Sequence, residues 1–211
     1  MFEIVRTLRE PDRKCDFIAL GFLENEGANH AAIIINFNAQ LYHYHYTSRE
    51  IDFNVIGCYD FFHKITDTID TSLVPAFYAY CRQIQKKANP QYGYFYSGEY
   101  YDKNGVHFSE KPIKERMTCV GFCLNVLKGF LEEDYINYQD WDESSHTSSP
   151  DYLIKYAKRY NLNIDDISKS HRRITPLELL TSAFFTNTPI LKSSIDSKIE
   201  QAKEYIYKSL E

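Results

Sequence analysis

Three short segments hold the side chains in this chain that could do covalent chemistry. In Thr118-Cys119-Val120-Gly121-Phe122 the threonine is an N-cap residue type, which puts Cys119 in the first turn of a helix. There the free N–H groups and the helix dipole favour a thiolate, and the same N–H groups can hold an oxyanion. A cysteine on an apolar helix is more often a core residue, and Cys123, one turn on, reads that way. His30 opens the β-branched run His30-Ala31-Ala32-Ile33-Ile34-Ile35, directly after Gly27-Ala28-Asn29. A histidine at a strand end faces a cleft rather than a sealed core and can act as a general base. His43 and His45 fall on one face of the next strand, because strand side chains alternate. Such a pair is also a metal-ligating geometry, but no clear carboxylate or cysteine stands nearby to complete the set. The expectation is therefore no metal and no cofactor.

The elements that must position these residues are legible in outline. Asp16 to Phe22, His30 to Ile35, Leu41 to Thr47 and Ile51 to Ile56 read as strands. The last three are joined tightly enough to form an antiparallel meander. From Leu73 the period changes: Leu73, Phe77, Tyr80, Ile84 and Ala88 recur at helical spacing, with Pro75 in the first turn. Residues 89–116 read as a long loop with room for a short strand, and Cys119 to Leu131 as a second helix. Ser149-Pro150-Asp151 reads as the start of a helix running to Tyr160, and Thr175-Pro176-Leu177-Glu178 as a capping box. Ile195, Ile199, Ala202 and Ile206 mark an amphipathic C-terminal helix. Strands first and helices later, without βαβ alternation, mean an α+β fold.

The order of these pieces is more specific than any one of them. It resembles the NlpC-like papain-fold superfamily in its circularly permuted branch, where the histidine strand precedes the cysteine helix. In that branch a "G-D-I" strand comes first, which Cys15-Asp16-Phe17-Ile18 matches with Cys15 in place of glycine. A segment of the form "H-x-G-I-x-I" followed by a turn and a second histidine matches His30 to Ile35 and Leu41-Tyr42-His43. Thr118-Cys119-Val120-Gly121-Phe122 is similar to the "D-C-S-G-F" head of the nucleophile helix, with its Asp and Ser replaced. Gln91-Tyr92-Gly93-Tyr94 resembles a "Y-x-x-G" stretch in which a tyrosine lines the substrate cleft.

The resemblance covers about residues 14–130 of one domain, with a helical region of about 149–211 that matches nothing. It implies a papain-like antiparallel sheet packed on helices, the nucleophile at a helix N-terminus. It also implies a Cys119–His30–His43 triad acting through a thioester, with Tyr92, Tyr94 and His45 touching substrate. His43 takes the orienting role because it needs one inserted hairpin residue against the family spacing, where His45 needs three. A peptide, amide or acyl ester is the implied substrate of a cysteine peptidase or amidase. Lecithin:retinol acyltransferase-like enzymes share the permuted order and a histidine in third position, so acyl transfer is the alternative reading. A catalytically inactive, ligand-binding member is the other.

Composition narrows the field further. A formal charge of −5, with no basic cluster beyond Lys86-Lys87 and Arg172-Arg173, argues against nucleic acid as a partner. The chain opens Met1-Phe2-Glu3-Ile4-Val5-Arg6, which is no signal sequence, and no apolar run reaches membrane-spanning length. Five cysteines without a CxxC pair fit a reduced, cytoplasmic chain rather than a disulfide framework.

Overall fold

The computed structural model describes residues 3–9, 15–24, 29–57, 59–93, 98–109, 115–141 and 173–210, with 154, 155, 157–159, 161, 163 and 164 between the last two. It is α+β. Strands β1 (Val5–Arg6), β2 (Phe17–Leu23), β3 (His30–Phe37), β4 (Gln40–Tyr46), β5 (Ile51–Val55) and β6 (Phe62–Ile65) make one antiparallel sheet in the order β1-β6-β2-β3-β4-β5. The meander β3-β4-β5 matches the sequence reading. β1 and β6 extend the sheet beyond β2, and neither was legible as a strand.

Register is set by the β3–β4 hairpin. Phe37 pairs with Gln40 across a two-residue loop, Asn38-Ala39, both at positive φ (51° and 58°). That is the twist a tight hairpin demands, and Asn38 tolerates it readily. The hairpin is thus as short as hairpins come, and its turn does not hold the one inserted residue that the choice of His43 assumed.

Residues 31–36 of β3 are all buried, because the centre of the sheet is covered on both faces. One face (Ile18, Leu20, Ile33, Ile35, Tyr42, Tyr44 and Phe53) packs on helices α1 (Val74–Lys87) and α2 (Cys119–Leu131). The other gathers Phe17, Ala19, Ala32, Ile34 and Leu41 against Phe61. Helices α3 (Pro176–Ser182) and α4 (Lys192–Lys208) close the β2–β6 end through Leu180, Ala202 and Ile206. The capping box at Thr175 forms as read, with Glu178 returning a bond to the Thr175 amide. The start expected at Ser149-Pro150-Asp151 and its end at Tyr160 lie outside the described residues.

Residues 89–116 contribute short strands β7 (Gln91–Tyr92), β8 (Tyr100–Tyr101) and β9 (His107–Phe108), and β10 (Arg116–Met117) leads into α2. β7 runs parallel to β10, and Gly93 N–H donates to Met117 O at 3.1 Å, so the approach to Cys119 is fixed by backbone pairing. At the far end of α2, Gly129 lets the helix close on β8. A Cβ there would meet Tyr101 O at 2.0 Å and the Tyr80 hydroxyl at 2.2 Å.

Candidate functional site

Cys119 is the first residue of α2. Thr118 Oγ1 accepts from Gly121 N–H at 3.1 Å, so the threonine caps the helix as its type suggested. The half-buried sulfur is within hydrogen-bond reach of the Ala31 amide, and of the Val120 and Cys119 amides at the helix head. Burial pushes the thiol up, and these three N–H groups pull against it. Among the described residues the partners of the sulfur are backbone amides and not the His30 ring.

The Ala31 amide is available for a specific reason. The β3–β4 register ends with Ile33 opposite Tyr44, and beyond that row the strands part. The amide of Ala31 lies two residues past the last pair, and the head of α2 reaches it there. Cys119 therefore sits beside the peptide that joins His30 to Ala31.

Across the same parting, His30 Nε2 lies 2.5 Å from His45 Nδ1, the rings 4.7 Å apart and close to edge-on. This corrects the assignment of His43 as the orienting residue. Counting back from the tight hairpin, His43 falls opposite Ile34, four residues up β3 from His30, or about 13 Å at strand rise. His45 falls one row beyond the last pair, level with Ala32, and reaches His30 on the diagonal. The reading of His45 as a cleft-edge contact falls with it: His45 is 3% exposed. Burial lowers His30 to about 4 and lowers His45 as well. Burial thus favours the neutral imidazole at both histidines and the neutral thiol at Cys119.

Sequence reasoning missed Asp52. It pairs with His45 across β4–β5, and its Oδ2 lies 3.4 Å from the Nε2 of both His43 and His45. Asn54 Nδ2 donates to its other oxygen. The turn sets its row: Thr47 N–H donates to Glu50 O, and pairing outward from that bond brings 45 level with 52. The absent carboxylate of the histidine pair is thus supplied by the next strand.

Tyr92 is exposed and level with Met117, two residues before Cys119. Tyr94 lies outside the described residues, as do residues 25–28 before His30. Cys123 and Cys81 are sealed in the core. A cavity of about 380 Å³ lined by Tyr100, Asp102, Lys128 and Glu132 opens at the opposite end of α2, more than two turns from Cys119, and is no part of this arrangement. Among the described residues no helix is long and apolar enough to cross a membrane. Compared with known proteins, the chain matches no family model, no curated protein and no solved structure.

Proposed function

We propose that this chain is a cysteine hydrolase of amide, peptide or acyl-ester bonds, of the permuted papain-like kind, with Cys119 as nucleophile, His30 as base and His45 as the residue that orients it. One observation carries the reading: a capped helix-head thiol lies within reach of the Ala31 amide, next in the chain to His30, whose ring hydrogen-bonds His45.

For His30 to act as base through Nδ1, its proton must sit on Nε2 and be donated to His45 Nδ1. His45 then carries its own proton on Nε2, directed at Asp52. The Cys119 proton passes to His30 Nδ1 as the sulfur attacks the acyl carbon, and the leaving group takes that proton as the carbon–heteroatom bond breaks. The thioester left on Cys119 is cleaved by water, which His30 activates in the same way. Amide groups at the head of α2 are the available donors for the oxyanion. Transfer to an alcohol or amine in place of water would be acyl transfer, with the same acyl-enzyme. A histidine in third position gives that alternative its support.

The test is burst labelling with p-nitrophenyl acetate followed by peptide mapping. One acetyl group on Cys119, with Cys119→Ser giving neither burst nor turnover, is the expected result. Acetyl on another residue, or unchanged turnover in Cys119→Ser, would refute it. Competing water against added amines then separates hydrolysis from transfer.

A further inference from the structure

We infer that His43, His45 and Asp52 form a binding site for a divalent transition metal of the zinc class. The three residues each offer a ligand atom, and these atoms all lie within 4.8 Å of one another. Asp52 Oδ2 stands 3.4 Å from each histidine Nε2. Two nitrogen or oxygen ligands at about 2.0–2.1 Å from a tetrahedral metal are separated by about 3.4 Å. The carboxylate is therefore already at ligand spacing from both imidazoles.

A second observation points to an occupant. His43 and His45 are each 3% exposed, yet both ring nitrogens of His43 and Nε2 of His45 are buried without a hydrogen-bond partner. At 3.4 Å the carboxylate is within ion-pair range but makes no well-formed hydrogen bond to either ring. Buried polar atoms are ordinarily paired, and two neutral imidazole lone pairs converging on a carboxylate are a ligand set. The surroundings suit it. Asn54 holds the other oxygen of Asp52, as outer-shell partners of metal ligands do. Tyr59 and Phe61 flank both imidazoles with their rings, while Asp52 is partly open on the edge strand β5. Three protein ligands leave a fourth position for water or an exogenous group.

The site also bears on the thiol, a consequence that rests on the proposed role of His30. A metal on His45 Nε2 moves the His45 proton to Nδ1, which then donates to His30 Nε2. His30 must in turn keep its proton on Nδ1 and cannot take one from Cys119. Metal binding therefore silences the nucleophile through a tautomer exchange, with no change in the fold.

Equilibrium dialysis of the full chain against Zn²⁺ tests the site, and Co²⁺ in its place reports the ligands. We expect one metal per chain and a four-coordinate cobalt spectrum without a sulfur charge-transfer band. Cys119→Ala should bind as the parent does, and Asn54→Ala about 10- to 100-fold more weakly. Asp52→Asn should lose stoichiometric binding while its far-ultraviolet circular dichroism is unchanged. No bound metal, meaning that water occupies the place, would overturn the site, as would a folded Asp52→Asn that binds like the parent. Rapid acetylation of Cys119 in the zinc-loaded protein would overturn the coupling, and dialysis would still report on the site.

Discussion

Alkylation of Cys119 as a function of pH distinguishes a neutral thiol–imidazole pair from the preformed thiolate–imidazolium pair that the helix head alone would suggest. Burial raises the thiol and lowers His30 to about 4, so the two groups are pushed away from exchanging a proton at rest. A thiol pushed above the ordinary cysteine range is overwhelmingly protonated at pH 7. Only the thiolate reacts, so the iodoacetamide rate at Cys119 should climb roughly tenfold per pH unit, or about 100-fold from pH 6 to pH 8. Exposed Cys15 should label ahead of half-buried Cys119 at neutral pH, and buried Cys81 and Cys123 should stay unlabelled until unfolding. His30→Ala should change the alkylation rate by only a few fold, since no ion pair is lost, while abolishing turnover. The assay is timed quenching, digestion and mass spectrometry of the cysteine peptides. A rate for Cys119 that is flat from pH 5 to pH 8, and that collapses in His30→Ala, would refute the reasoning and restore the ion pair.

Turnover should fall about 10⁴-fold in His45→Ala, because the His30 tautomer is no longer fixed, with a much smaller loss per folded molecule in His43→Ala. Steady-state assays on both variants decide this, and equal losses would sink the assignment. Gly129→Ala should destabilise the fold by about 1–3 kcal/mol or more, since its Cβ would overlap the Tyr101 carbonyl, and a urea titration reads it. In a chelator, stability should fall as pH drops from about 6.5 towards 4: unfolded His30 takes up a proton near 6.5 that the folded ring refuses until about 4. Stability that stays level across that window would contradict a buried neutral His30.

Local pattern was enough for the elements that hold the chemistry. The period change at Leu73 gave α1 to within a residue of its ends, and Thr118 gave the start of α2, because helices and caps are written in neighbouring residues. β6 escaped for the opposite reason. Phe62 to Ile65 is four residues long, and its partner is β2, some forty positions earlier, so nothing local marks it. The third member of the site failed on a subtler point. Matching His43 by counting inserted residues assumes that the insertion lengthens the turn. The Asn38-Ala39 turn is minimal, so the added residues lengthen the strands, and every row beyond them moves. Once Phe37 is paired with Gln40, His45 is the nearer histidine to His30, and Asp52 follows from the same counting across the next turn. His30 thus reaches His45 on the diagonal and Asp52 lies directly opposite His45, so the three cross three strands, with His43 beside them. A substitution that shifts the Asn38-Ala39 turn by one residue would turn both β4 histidines to the opposite face, towards α2, and remove the orienting bond and the ligand set together.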